Sequence, residues 1–175
     1  MLDIDLNRLS YLEDIFGASV TTLYSTEANI EKCLREADLV IGAVLIPGGA
    51  APKLVRKEHL KMMKRGSVIV DIAIDQGGCC ETSRVTTHQN PVYTEDGVVH
   101  YCVGNMPGAV PFTSTIALTN STFGYARKIA NLGLETAAIR DNAILTGINI
   151  YNGKCTNRNV AESTGVKYSD LSELF

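Results

Sequence analysis

Short apolar runs alternate with segments of helical periodicity along the first part of the chain. Four runs show this pattern, at residues 19–23, 39–45, 67–72 and 98–103. The middle two are continuously apolar and rich in Val and Ile, which is typical of parallel strands buried on both faces. Helical spacing predicts three intervening helices, at residues 6–16, 26–36 and 52–63. The alternation predicts βαβ units and an α/β fold built on a parallel sheet.

The pattern changes near residue 110, where we place a boundary. One long helix is predicted from Pro111 to Leu132, because hydroxyl residues lie near its start and Gly133 follows its end. Beyond it the pattern predicts a helix, a short apolar run, a turn and a last short helix, at residues 135–145, 148–150, 151–154 and 159–163. The long helix is therefore expected to lead away from the sheet.

Composition and charge narrow the class of protein. The formal net charge is −3 with acids and bases interspersed, so no nucleic-acid or membrane surface is predicted. The longest apolar run, residues 39–46, is too short to span a bilayer, and the acidic first residues do not resemble a signal peptide. A cytoplasmic location is expected.

The five cysteines are odd in number and lack C-x-x-C spacing, so we predict reduced thiols and no metal site. Cys79 and Cys80 are adjacent, whereas redox dithiols are usually spaced by two residues.

The amino terminus resembles a Rossmann fold that begins after its first strand. No G-x-G-x-x-G, the loop that holds a pyrophosphate, occurs in the sequence. Leu2-Asp3 nevertheless looks like the end of a second strand, whose acid faces an adenosine ribose; the alternative is a solvated Asp. In the usual strand order the first strand is central. We therefore predict an incomplete Rossmann-type parallel sheet, completed by another polypeptide or left incomplete in a truncated product.

Three stretches at the ends of predicted strands carry candidate chemistry, because ligands of open α/β sheets bind there. The first runs into Ile46-Pro47-Gly48, which is either a nucleotide loop or a simple turn. The second ends in Asp75-Gln76-Gly77-Gly78, where Asp75 is either a catalytic carboxylate or a loop cap. The third contains Asn105 and Met106, suited to reading a nicotinamide amide, although Met106 is equally suited to core packing.

Taken together, these stretches resemble alanine dehydrogenases. The matching motifs are DLVIGAVLIPG followed by APKLV, VDIAIDQGGC, and YCVGNMPGAVP followed by TSTIALTN. The resemblance runs over nearly the whole chain. Proton-translocating transhydrogenases are similar here too, but they typically lack the acid found at Asp75, which favours the dehydrogenase.

The resemblance implies NAD as cofactor and a proton-handling role for Asp75. It also implies a partial NAD-binding Rossmann domain over residues 1–110, and over residues 111–175 a linking helix with the carboxy-terminal part of the substrate domain. The implied cofactor-binding residues are Asp3, Arg8, Ser25, Val44, Leu45, Ile72, Asp75, Val103, Asn105 and Met106.

The implied reaction is oxidative deamination of L-alanine to pyruvate and ammonia by a homo-oligomer, commonly a hexamer. The family's catalytic His and Lys, and the Arg that holds the substrate carboxylate, lie in an amino-terminal region that this sequence does not include. His59, His88 and His100 match none of its motifs and are expected to be structural or solvent-facing, with His59 on a surface helix. The chain alone is therefore expected to be a truncated, inactive portion of an oxidoreductase. The alternatives are a non-catalytic remnant or split-gene subunit, and an NAD(H)-binding fragment of a transhydrogenase.

Overall fold

Residues 1–171 are described by the computed structural model, and they fall into two units. The first comprises residues 1–44 and 51–104, and the second comprises residues 45–50 and the chain from Asn105 onward. The predicted boundary at residue 110 lies close to the passage from Gly104 to Asn105.

The first unit begins with a parallel pair of short strands, β1 (Leu2–Asp3) and β2 (Leu23–Tyr24). Helix α1 (Leu6–Phe16) connects them, as predicted. Asp5 caps this helix, since its Oδ1 accepts from the backbone N–H groups of Asn7 and Arg8. The predicted strand at residues 19–23 is displaced, because residues 17–19 form a 3₁₀ turn before β2.

A four-stranded sheet follows, made of β3 (Leu39–Gly42), β4 (Val68–Asp71), β5 (Val92–Glu95) and β6 (Val98–Tyr101) in the order β3-β4-β6-β5. The strands β3, β4 and β6 are parallel, as predicted. The sheet is mixed, because β5 pairs antiparallel with β6 through a tight Asp96-Gly97 turn.

Strand β3 departs from the prediction of a strand buried on both faces. It lies at the edge of the sheet, and Leu39 and Ile41 are 55% and 59% exposed. Neither β3 nor β1 pairs with a second strand within the described residues, so each presents one open edge.

The core of this unit lies between the sheet and helix α2 (Glu27–Glu36), which Thr26 caps. Leu34 of α2 packs with core side chains from the sheet and its connections, namely Val55, Leu60, Met63, Ile69, Cys80 and Val98. Burial of these apolar side chains makes the largest favourable contribution to the free energy of folding of this unit.

The predicted helix at residues 52–63 is wrong in its first half. Only Lys57–Met62 is helical, as a 3₁₀ helix. The preceding segment is held extended, because Leu54 N–H donates to Cys79 O (2.8 Å) and Glu81 N–H donates to Val55 O (2.8 Å). Backbone pairing with a distant segment therefore overrides the local preference.

The second unit contains α3 (Pro111–Leu132), whose bounds match the prediction. The predicted helix at 135–145 is divided into α4 (Leu134–Arg140) and α5 (Asn142–Gly147), because Asp141 ends the first and caps the second. A hairpin of β7 (Ile150–Tyr151) and β8 (Lys154–Cys155) and helix α6 (Arg158–Thr164) follow, as the turn and helix predictions indicated. Within residues 1–171, no helix combines the length and apolar character needed to cross a membrane.

Candidate cofactor-binding site

The carboxyl ends of β3 and β4 lie side by side, with Gly42 opposite Asp71 in the parallel register. From Asp71 the chain runs directly into a 3₁₀ helix, Ile72–Gln76, which carries Asp75. Gly77 ends this helix in the left-handed conformation. This edge is where open α/β sheets place their ligands.

Asp71 is a fully buried carboxylate that organises the following loop. It accepts hydrogen bonds from Ser83 Oγ (2.5 Å), from Cys80 N–H (3.2 Å) and from Cys79 Sγ (3.5 Å). Within the described residues no ion pair reaches Asp71, so these donors alone compensate its lost hydration. The loop of residues 77–83 is therefore folded around a buried acid.

Asp75 is exposed on the 3₁₀ helix that precedes this loop, and two other segments lie close to it. A methyl group built on Gly104 would lie 3.5 Å from Asp75 Oδ1 and 3.3 Å from Val85 Cγ1. Val85 is 67% exposed, and Thr86 ties its segment to the chain after β6 by bonding Cys102 and Gly104. The structure therefore brings together a carboxylate, an exposed apolar side chain and a bare glycine backbone.

Asp3 and Ser25 also come together, because Asp3 ends strand β1 and Ser25 follows its partner β2. Ser25 N–H donates to Asp3 O (2.9 Å), and Asp3 Oδ1 accepts from Asp5 N–H (2.9 Å). The guanidinium of Arg8 lies 5.0 Å from the ring centre of Tyr11 on the same helix. An acid at the end of a parallel strand suits the hydroxyl groups of a ribose.

The remaining predicted residues differ in exposure. Val44 packs against a small cluster containing Ala73 and Cys79, whereas Ile72 is half exposed and Val103 is fully buried. Leu45, Asn105 and Met106 belong to the second unit. Asn105 is exposed with a φ of 56°, and Met106 begins a 3₁₀ helix, Met106–Ala109.

The second unit contains a groove of about 750 Å³ that includes none of the predicted site residues. Its lining is almost entirely apolar and includes Tyr125, Ile129, Ile144 and Ile148. Among the described residues no carboxylate or basic side chain lines it, so Tyr125 is the one lining side chain of a type used in acid–base chemistry.

The prediction that His59 lies on a surface helix is wrong. His59 is only 2% exposed and lies in the 3₁₀ helix Lys57–Met62. Its Nε2 lies 3.9 Å from Glu31 Oε1, near Glu27. Its Nδ1 accepts from Arg56 N–H (3.2 Å), so Nε2 retains the proton in the neutral ring. Arg56 also pairs with Glu27. A proton on Nε2 and a competing guanidinium both disfavour a metal ion at this cluster.

His100 is buried and structural, as expected. Its Nε2 bonds Thr82 Oγ1 (2.8 Å), its Nδ1 bonds Val98 O (3.1 Å), and its ring stacks on Tyr93. Burial lowers the pKa of His100, which favours the neutral ring. Tyr93 OH in turn donates to Thr82 O. His100 and Tyr93 therefore both hold Thr82, a residue of the loop 77–83.

Burial, and then the neighbouring Asp71 carboxylate, raise the pKa of the Cys79 thiol to about 12. Cys79 in the unfolded chain ionises near pH 9, whereas folded Cys79 keeps its proton. The unfolded state then binds fewer protons, so stability falls as pH rises from about 9 to about 12. We expect urea unfolding to show a loss of up to about 1.4 kcal/mol per pH unit from this group.

Cys79→Ser should reduce this alkaline loss, and Cys33→Ser, at a less buried thiol, should leave it intact. Cys80 and Tyr93 also have raised pKa values, so part of the fall of stability with rising pH should remain in Cys79→Ser. Equal slopes in the Cys79→Ser and wild-type chains would contradict this assignment.

Comparison with known proteins gives a consistent result. The family model described as "Alanine dehydrogenase/PNT, C-terminal domain" matches residues 1–158. The alanine dehydrogenase of Methanococcus maripaludis is 55% identical over 170 residues, which are 97% of this chain and 46% of that protein. That of Staphylococcus epidermidis is 52% identical over 174 residues, covering 99% and 47%.

Solved structures agree. An L-alanine dehydrogenase superposes with a TM-score of 0.77 at 51% identity, over 94% of this chain and 45% of that one. A transhydrogenase from Sinorhizobium meliloti gives a TM-score of 0.56 at 29% identity, over 66% and 32%. The chain spans about half the length of the relatives it matches. Since the family model covers most of its length, the chain belongs to the alanine dehydrogenase/PNT C-terminal domain family.

Proposed function

We propose that these 175 residues form the NAD-binding part of an alanine dehydrogenase, which converts L-alanine to pyruvate and ammonia. The observation that carries the proposal is a pair of acids near the carboxyl ends of parallel strands, Asp3 on β1 and Asp75 on the 3₁₀ helix that follows β4. The likeness to proteins named alanine dehydrogenases supports this reaction over that of a transhydrogenase, because identity and TM-score are both higher.

Asp3 is proposed to bind the adenosine ribose, Arg8 to line the same pocket, and Ser25 to lie beside the adenine. Its Oδ1 already accepts one backbone N–H, which holds the carboxylate at the end of β1. A carboxylate accepts hydrogen bonds from ribose hydroxyls and repels a 2′-phosphate. The residues therefore fit NAD better than NADP.

Asp75 is proposed to hold and transfer a proton near the nicotinamide, and NAD supplies the hydride acceptor when it is bound. The half-exposed Ile72 offers apolar surface on the same 3₁₀ helix, whereas the side chain of Val103 is fully buried and offers none. Val44 and Leu45 are proposed to flank the cofactor after β3. Asn105 and Met106 are proposed to contact the nicotinamide, with the Asn amide reading the carboxamide group.

We further propose that a strand outside these 175 residues, carrying the glycine loop, pairs between β1 and β3. The open edges of both strands and the exposure of Leu39 and Ile41 support this proposal. From the likeness to alanine dehydrogenases, we propose that residues 1–110 correspond to the nucleotide-binding domain. Residues 111–175 correspond to the linking helix with part of the substrate domain, and the assembled enzyme is a homo-oligomer.

Asp75→Asn tests the catalytic assignment in a chimera that joins this chain to the amino-terminal part of the Methanococcus maripaludis alanine dehydrogenase. We expect the kcat of alanine-dependent NADH formation to fall by about 10²–10⁴-fold, because a positioned acid–base group is lost. NAD affinity should be unchanged, since the amide has nearly the same shape. Asp38→Asn is the matched control, because its side chain is 86% exposed.

Full turnover in the Asp75→Asn chimera would refute the role of Asp75. A wild-type chimera that binds NAD without oxidising alanine would instead support a transhydrogenase-like or non-catalytic function.

A further inference from the structure

The ammonium group of Lys53 binds the loop of residues 77–83, which follows the 3₁₀ helix that carries Asp75. Its Nζ donates to three backbone carbonyls, those of Gly77 (2.5 Å), Gly78 (2.8 Å) and Cys80 (3.3 Å). An ammonium has three N–H donors, so this one loop can use all of them. Lys53 forms no ion pair within the described residues, although the chain carries 19 acidic residues.

The loop has a conformation that such a cation stabilises. Gly77 and Gly78 have φ values of 89° and 78°, in the left-handed region. The turn brings three carbonyl oxygens towards one point, where their partial negative charges repel one another. A cation at that point converts the repulsion into charge-assisted hydrogen bonds, which are stronger than neutral ones.

Backbone hydrogen bonds on both sides of Lys53 join residues 51–55 to residues 76–81. Together with the three bonds from Nζ, they form what we call the clamp. Ala51 N–H donates to Gln76 O (2.9 Å), and Leu54 N–H donates to Cys79 O (2.8 Å). Glu81 N–H donates to Val55 O (2.8 Å). The segment that carries Lys53 therefore holds the loop immediately after Asp75 along its length.

We propose that Lys53 is a positioning residue for Asp75. By donating to the three converging carbonyls it fixes the loop that follows Asp75, and thereby the position of the acid. The link to catalysis rests on the proposed function of Asp75, but the clamp itself does not. Lys53 acts on the backbone of the loop and is assigned no contact with the substrate or cofactor.

Lys53→Ala tests the clamp by amide hydrogen exchange in the 175-residue chain. The amides of Ala51, Leu54 and Glu81 should exchange about tenfold faster or more, because a hydrogen bond to a charged group is lost. Exogenous n-propylammonium, which replaces the deleted atoms, should restore slow exchange. Lys64→Ala is the control, since Lys64 is a surface lysine paired with Asp38.

Lys53→Met keeps the length of the stem and removes the charge. It should show the same faster exchange without rescue by propylammonium, because the stem occupies the path of the added cation. It also serves as the test variant if Lys53→Ala does not fold. Exchange in both Lys53 variants equal to that in Lys64→Ala would overturn the clamp.

The chimera separates the clamp from the proposed function. Lys53→Ala should lower kcat about tenfold with NAD affinity retained, and propylammonium should restore kcat. Faster exchange with unchanged kcat would overturn positioning while leaving the clamp in place. No turnover in the wild-type chimera would refute the proposed function, and the exchange result would still decide the clamp.

Discussion

Replacing Gly78 with alanine should lower the free energy of unfolding by about 3–5 kcal/mol, or prevent the first unit from folding. Gly78 has a φ of 78°, which costs an L-residue about 1–2 kcal/mol. A Cβ there would also lie 2.7 Å from Asp71 Oδ2 and 2.8 Å from Ser83 Cβ. The collision falls on a buried carboxylate and its hydroxyl donor, so relieving it would disturb the hydrogen bond between them.

Gly77→Ala is the matched control, one residue away. Gly77 has a φ of 89°, but a Cβ there would meet nothing within 4 Å. We expect a loss of only about 1–2 kcal/mol from backbone strain. Urea unfolding of both variants measures the difference, and equal losses would show that close packing around Asp71 is not what requires Gly78.

Asp71→Ala should cost about 3–5 kcal/mol, because it leaves the buried N–H of Cys80 and the partly buried hydroxyl of Ser83 without an acceptor. Asp71→Asn should be less severe, since one oxygen remains to accept. Asp38→Ala removes the same charge from an exposed surface pair and should cost at most about 1 kcal/mol.

Urea unfolding measures all three Asp variants. If Asp71→Ala were no worse than Asp38→Ala, the buried carboxylate would not organise the loop.

The elements predicted well are those whose ends carry local signals. Pro111 and Gly133 delimit α3, and Thr26 caps α2, so both helices have the predicted position. The Asp96-Gly97 turn between β5 and β6 is an equally local signal and could have identified β5. Residues 52–55 could not be predicted in the same way, because their conformation depends on backbone partners more than twenty residues away.

The site also contains residues with a local sequence signal and residues whose role depends on distant partners. Asp75 is recognisable because it comes soon after a strand rich in Val and Ile, whereas Lys53 and Asp71 have no local pattern that reveals their partners. Lys53 bonds carbonyls 24 to 27 residues away, and Asp71 bonds Ser83 across 12 residues. The exposure of Leu39 and Ile41 was also not predictable from composition, since it follows from which strands pair.

Calorimetric titration of the chimera with NAD and with NADP tests the central claim most directly, because Asp3 comes from this chain. We predict that NAD binds at least about tenfold more tightly than NADP, a difference of about 1.4 kcal/mol. Asp3→Asn should abolish most of that preference, and Asp38→Asn should preserve it. Equal binding of the two cofactors, or a preference that survives Asp3→Asn, would contradict the assignment of this chain as the part that selects NAD.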